Sequence, residues 1–440
     1  MLITERELRI DLPNNPDYIF PHLEREVRYN LTTDETPVRF VVTKMNEEGI
    51  YCEIGVIDYD SPNHYNAYLN SIDSIFKIQK RTYENTNNFN IALIIPTGIG
   101  CELGGHSGDG GAVARLFASV CDQLITHPNV VNAADINELP ENGLYVEGSI
   151  LSRLLMGTIT LQKVRSNRVL LIIDKHEESF HELAINSASA ARAALGLNCP
   201  LVVIMDKPIL MSAEFTASGR AAGRIERFDN ICNVLEKYRE EYDAVALSTL
   251  IEVPDNYHAD YFKEDEEMMV NPWGGVEAML THSVSSIYDV PSAHSPMMTS
   301  HDVMNLDVGI VDPRKAAEAV SMTFLHCILK GLYNAPRILS GIHSGNGLIC
   351  NRDISCIVIP DGCIGLPVFA AIENDIPVIA VKDRHANVKN SLQELPFKKD
   401  KLFLANNYLE AAGIVSSLKA GVSFDSIKRP MDRTKLIHEE

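Results

Sequence analysis

Positive charge is scarce in this chain. Its 440 residues carry 39 Lys and Arg against 59 Asp and Glu, a formal net charge of −20. A nucleic-acid or anionic-membrane surface needs a broad basic patch, so neither partner is expected, although a local pocket for one anion stays open. Long apolar runs are also missing, and none approaches the roughly 18 residues of a membrane-crossing helix. The opening MLITERELRIDLP has neither a basic nor an apolar signal region, so no signal peptide is expected. The nine cysteines are odd in number, scattered and without a CxxC pair. That pattern speaks against a disulfide framework or structural zinc and for reduced thiols in a cytoplasmic protein. There is no GK[ST] after a glycine loop and no HExxH, which removes the P-loop and the common helical zinc signature.

Glycine, by contrast, is concentrated in one place. An apolar run at 91–95 stops at Pro96, and seven of the fifteen residues 97–111 are glycine. Cys101, Glu102, His106, Ser107 and Asp109 sit among them. Glycine lets backbone approach a ligand closely, at an entropic cost, so this segment reads as a site. A helical apolar period runs from Ala112 to Leu124.

Around that loop the chain alternates short apolar runs with amphipathic helices. Strands are expected at 91–95, 169–173, 201–205, 244–251, 354–359 and 378–381. Helices are expected from 149, over 179–195 with a Ser179/Glu182 capping box, from Asp312-Pro313 onward as one long helix, and over 367–373. Continuous apolar strands between helices imply parallel sheets covered on both faces. The expected class is α/β: two Rossmann-like lobes with mainly parallel sheets and a cleft between them. Residues 91–260 and 261–423 form the lobes, with the charge run 263–267 near the boundary. Residues 1–90 form a separate strand-rich α+β unit containing a hairpin of 38–44 with 50–56, and 424–440 form a peripheral tail.

The glycine loop suggests an anion cradle. Amides of 104–111 and the following helix N-terminus are placed to hold a carboxylate or phosphate. Thr97, Gly98, Gly100, Gly104, Gly105 and Ser107 supply contacts, and Arg115 a bidentate pair. His106, Asp109 and Glu147 are the candidate proton carriers; for the first two, local capping of the turn is the structural alternative. Further contacts come from polar knots at strand ends: His127, Asn129 and Asn132; Gly275 and Glu277, on a segment that also bears Trp273 and His282; and His294. Residues 357–365, IVIPDGCIG, echo 93–100, LIIPTGIG. Asp361 and Gly362 are therefore expected to face the first loop across the cleft.

Other patterns in the sequence are weaker. Gly98, Gly100 and Gly104 follow a strand, but the helix starts late and no acidic strand end appears at 118–126, so the dinucleotide fingerprint is poor. Cys101 with His106 is a poor nucleophile pair, since such partners normally meet in space rather than in sequence. His106, His127 and Asp109 could assemble a two-His, one-carboxylate metal site, yet nothing local demands it. Arg220, Arg224 and Arg227 share a face at helical spacing, either binding an acidic substrate or answering Glu226 and Glu236 on a surface helix.

Long stretches of the chain resemble a known family. The run 95–109, IPTGIGCELGGHSGD, with 126–132, THPNVVN, 144–148, LYVEG, 271–277, NPWGGVE, and 361–367, DGCIGLP, is similar to the family known as domain of unknown function 3326. The resemblance covers about 91–420 and implies no settled activity or cofactor. From the residues, the expected function is an enzyme acting on a small anionic metabolite by acid–base or group-transfer chemistry. An NAD(P)-dependent oxidoreductase and a non-catalytic metabolite-binding or assembly protein are the alternatives. A homo-oligomer is the default assembly.

Overall fold

The structure is a computed structural model that describes residues 1–11, 16–46, 49–59, 73–254, 257–263, 270–321, 323–383 and 388–439. Most of the charge run 263–267 and the 47–48 turn of the expected hairpin lie outside those residues.

Two all-parallel sheets carry a mixed α/β fold. The larger has six strands in the order Leu402–Ala405, Val378–Val381, Ile354–Pro360, Asn90–Leu93, Gln123–Thr126 and Gly143–Tyr145. The smaller has four, in the order Leu201–Ile204, Val169–Ile173, Ala244–Leu250 and Ser292–Met297. Every residue of Val169–Ile173 and of Ile354–Pro360 is buried, as expected of strands covered on both faces. Each wholly buried Val, Leu or Ile contributes about 1.5–3 kcal/mol, so these runs anchor the core. Both sheets draw on distant sequence. Asn90–Leu93 pairs with Ile354–Pro360, and Ala244–Leu250 pairs with Ser292–Met297. A division at residue 260 would cut through both sheets.

Nor does the N-terminal segment stand apart. Leu2–Ile10, Gly49–Asp58 and Glu35–Asn46 form the centre of a six-stranded antiparallel sheet. Its flanks are Leu210–Phe215 and Ala221–Glu226 on one side and Ile364–Gly365 on the other. Residues 220–227 are therefore not helical. Ala221, Ala222, Gly223 and Ile225 are buried in the strand, while Arg224 is exposed. Arg220 is fully buried between Glu5 and Glu53, and Arg39 pairs with Glu5 at 2.9 Å. This four-membered ion network joins three strands.

Three expected helices change form. The one after the glycine loop spans only Gly111–Ala118. Asn142 Nδ2 donates to the carbonyls of Ala118 (2.9 Å) and Cys121 (3.3 Å), which closes the helix and frees 123–126 to join the sheet. The long helix from Asp312 is instead Ala316–Val320 and Leu325–Tyr333. Between them the hydroxyls of Ser321 and Thr323 donate to Asp135 (2.6 and 2.9 Å), drawing the chain out of helical geometry. The helix Glu178–Leu195 ends at Gly196 with φ +67°, as glycine allows. Its start lacks a side-chain cap, and Ser179 Oγ lies 2.9 Å from His301 Nε2 instead. The tail holds one short helix, Phe424–Ile427, and is exposed from 428 to 439. No helix among the described residues is long and apolar enough to cross a membrane.

Candidate functional site

A cavity of about 310 Å³ lies where the carboxyl ends of the large parallel sheet meet the antiparallel sheet and the helix Trp273–Tyr288. Of the residues the sequence singles out, Thr97, Ser107, His127, Asn129, Asn132, Glu147, Glu277 and His294 line it. Gly98, Gly100, Gly104, Gly105, His106, Asp109, Arg115, Gly275, Asp361 and Gly362 do not.

The glycine loop is a tight knot, and its amides hold the chain's own acids. Gly104 has φ +78°, and a Cβ there would fall 2.1 Å from Ile95 Cγ2, so only glycine fits. The Gly104 N–H donates to Asp109 Oδ1 (2.8 Å), Ser107 N–H to Glu318 Oε1 (2.7 Å) and Glu102 N–H to Asp383 Oδ2 (2.9 Å). Arg115 is exposed on its helix and adds nothing to this knot. Two of the amides expected to cradle a ligand anion, those of Gly104 and Ser107, thus serve internal carboxylates.

Those carboxylates are unusual. Burial pushes Asp109 up to about 7 against the opposing Gly104 N–H, with Glu318 adding to the rise. Asp109 Oδ2 is buried and has no hydrogen-bond partner among the described residues. Burial likewise pushes Glu318 up to about 7, against donation from Ser107 and Tyr261. Glu318 lines the cavity. Behind it His106 Nδ1 lies 2.7 Å from the Tyr261 hydroxyl, and Lys315, fully buried, donates to the Tyr261 carbonyl at 2.6 Å. Burial, then Arg314 and Lys315, push His106 down to about 4, so it is neutral at physiological pH.

At the next strand end His127 Nε2 accepts the Ile95 N–H at 3.0 Å. Burial pushes it to about 4, so it too stays neutral. Asn129 Nδ2 ties together the carbonyls of Ile95 (2.9 Å) and Gly104 (2.8 Å). Asn132 Oδ1 accepts from the Tyr145 hydroxyl at 3.2 Å and the Asn137 amide at 3.4 Å. Both asparagines hold the loops in place as much as they face the cavity.

Two carboxylate–histidine pairs share the cavity. Glu147 is the N-cap of the helix Gly148–Leu155, and its Oε2 accepts from the Ser149 (2.9 Å) and Ile150 (3.3 Å) amides and from the Ser149 hydroxyl. Its Oε1 lies 2.5 Å from His282 Nδ1, in a contact off the ideal hydrogen-bond direction. Burial would raise Glu147, but the His282 charge and the donors at the helix start outweigh it and hold the carboxyl below its usual value. The His282 side chain is 17% exposed, and its Nε2 has no hydrogen-bond partner among the described residues. Gly148 allows this approach, since a Cβ there would sit 2.9 Å from His282 Cε1. The second pair is Glu277 Oε1 with His294 Nδ1 at 3.0 Å. His294 Nε2 contacts the buried Thr249 hydroxyl at 2.8 Å, so both of its ring nitrogens are engaged.

The second loop lies beside the first, not opposite it, because their strands are neighbours in one sheet. Cys101 Sγ and Cys363 Sγ are 3.7 Å apart. Asp361 accepts from the Gly362 and Leu392 amides (3.0 and 2.8 Å) and from Ser391, which pins the 390–392 segment. Gly275 packs on Ala221, whose carbonyl would lie 2.2 Å from an added Cβ. The strand Gln123–Thr126, missed in the sequence, ends at His127 and not at the acid of a dinucleotide site. Among the described residues no three His, Cys, Asp or Glu side chains gather as a metal site needs; His106, His127 and Asp109 have the separate partners given above.

Sequence reasoning left His282 without a role and missed Glu318. For His282 a signal existed: Glu277, Thr281 and His282 crowd one helical stretch behind a glycine pair. For Glu318 there was none, since its environment is made by residues far away in sequence.

The model of a family described as protein of unknown function, DUF3326, matches residues 90–428. A Synechococcus sp. protein named as an uncharacterized lipoprotein is 35% identical over 335 residues, spanning 75% of this chain and 90% of its own length. The chain belongs to the DUF3326 family.

Proposed function

We propose that the chain is an enzyme performing acid–base chemistry on a small molecule in the 310 Å³ cavity, with His282 as the proton carrier and Glu147 as its orienting carboxylate. In this view the two parallel sheets are the cores of two Rossmann-like lobes, and the cavity is the working part of the cleft between them. The carrying observation is the Glu147–His282 pair, 2.5 Å apart and facing the cavity. Glu147 is fixed through its other oxygen at a helix N-terminus, where a negative charge is favoured. It directs the His282 Nδ1–H toward itself and stabilises the imidazolium once Nε2 has taken a proton. Glu318, on another wall and pushed up to about 7, supplies a group able to give or take a proton near neutral pH. Environments that push neighbouring groups apart in this way separate acid from base roles.

The cavity itself favours a mainly apolar substrate over the expected anion. Phe40, Phe262, Trp273 and Phe324 line it. Its two arginines are engaged, Arg39 with Glu5 (2.9 Å) and Arg153 with Asp289 (2.6 Å). The polar part of the substrate would meet the Glu147–His282 edge.

The test is untargeted mass spectrometry of a metabolite extract incubated with purified protein. Wild type should deplete at least one compound, and His282→Gln and Glu147→Gln should slow that depletion about 10²–10⁴-fold with circular dichroism unchanged. Undiminished depletion by both variants would remove these roles. A compound retained in native mass spectrometry but never converted would favour a binding protein, and retained NAD(P) an oxidoreductase. The same spectra give the subunit count. A cytoplasmic location is part of the proposal, and the nine unpaired, buried thiols support it. The Synechococcus relative is named a lipoprotein, and cell fractionation would distinguish a cytoplasmic from a membrane-associated chain here.

A further inference from the structure

A second cavity, about 390 Å³, lies at the opposite end of the large parallel sheet. Asn90 and Gln123 begin two of its strands, and Asp353 immediately precedes a third. The walls differ in kind from those of the first cavity. Amides and a hydroxyl dominate, from Asn85, Asn87, Asn88, Asn90, Gln123 and Ser344, together with the cations Lys163 and Arg352.

The acids there are already served. Asp353 accepts from Asn85 Nδ2 (2.7 Å) and the Cys350 N–H (2.8 Å). Asp122 accepts from Lys419 Nζ (2.7 Å) and the Phe89 N–H (2.7 Å). The cations are not so served. Lys163 Nζ donates to the neutral amide oxygen of Gln123. Arg352 reaches the Tyr83 hydroxyl at 3.4 Å and lies over that ring, 5.0 Å from its centre. Its Nε is buried and has no hydrogen-bond partner among the described residues. Neither cation has a carboxylate partner among the described residues. In a chain of net charge −20, two such cations on one polar cavity are conspicuous.

A buried donor left unmade costs free energy that an anionic ligand would recover. A guanidinium and an ammonium lining one cavity supply charge and donors that suit a phosphate dianion. Asn and Gln side chains both donate and accept, which suits hydroxyl groups. The volume falls in the range of small-molecule sites. We propose that this cavity binds a small polyhydroxylated anion of the sugar-phosphate class, with its phosphate on Lys163 and Arg352 and its hydroxyls on the asparagines and Ser344. The site is independent of the acid–base cavity.

Isothermal titration of the full chain at low salt with glucose 6-phosphate, inorganic phosphate and glucose tests it. Glucose 6-phosphate should bind at least tenfold more tightly than phosphate, and glucose should give no heat of binding. Arg352→Gln should weaken binding at least tenfold. Ser344→Asp should do the same by placing a negative charge on an exposed loop residue, with the melting temperature unchanged. Absence of binding by both phosphates, or affinity unchanged in both variants, would overturn the site. Equal affinity for inorganic phosphate and glucose 6-phosphate would overturn its polyhydroxyl part.

Discussion

Replacing Asp109 by Asn should stabilise this protein by an amount that grows as pH rises from about 4 to about 7 and stays constant above. The carboxyl accepts the Gly104 N–H through one oxygen, while the other is buried with no partner among the described residues. Asn keeps the shape and the acceptor but can never carry the charge that the site disfavours. Asp109 moves from 3.8 in an ordinary setting to about 7. Between those values the folded chain holds a proton that the unfolded chain has released, so wild-type stability falls as pH rises through that window and levels off above it. Converted at 1.36 kcal/mol per pH unit, the displacement sets a ceiling of about 4 kcal/mol. Part of it arises from the charge of Glu318, so a gain of roughly 1–3 kcal/mol at pH 8 is expected from the variant.

Urea unfolding of both proteins at pH 4 and pH 8 measures this directly. The difference should be near zero at pH 4, where both side chains are neutral, and should reach its full value at pH 8. Equal or lower stability of Asp109→Asn at pH 8 would show that Asp109 is stably ionised in the fold. It would then be available as a ligand-binding charge and not as an internal plug of the glycine loop.

Two further substitutions test the packing. Arg220→Met should destabilise by about 3–5 kcal/mol in chemical denaturation, because it strands the buried Glu5 and Glu53 with only Arg39 nearby; a loss under 1 kcal/mol would mean the network is solvated. Gly413→Ala, in the helix Tyr408–Lys419 where an added Cβ meets nothing within 4 Å, should stabilise by about 0.5–1 kcal/mol, read as a higher melting temperature, and a lower one would indicate an unseen contact.

The strands of the parallel sheets were legible because burial on both faces leaves continuous apolar runs, as at 169–173 and 354–359. Their partners were not. Nothing local tells residue 90 that it will lie beside residue 354, so lobes drawn as consecutive segments cut across both sheets. Residues 220–227 show the other kind of failure. Three arginines at i, i+4 and i+7 mimic a helical face, yet the segment is a strand and Arg220 answers acids contributed by residues 5 and 53. In the 312–333 region a strong helix start was overridden by Asp135, which takes the hydroxyls of Ser321 and Thr323.

The crowding of glycine at 97–111 was legible in the sequence, and the partners of its amides were not. Composition shows that amides are crowded there, but not whose oxygen they bind, and three acids of the chain itself reach Glu102, Gly104 and Ser107. Two of those acids, Asp383 and Glu318, come from more than 200 residues away. The consequence for chemistry is a separation of tasks. With three of its amides on internal carboxylates, the loop positions Glu318 at the cavity wall. The proposed proton transfer therefore falls to His282 on a helix the loop packs against, and the proposed anion contacts fall to Lys163 and Arg352 at the far end of the same sheet. Under the two proposals, anion binding and proton transfer, which the sequence alone put in one loop, fall at opposite ends of one parallel sheet.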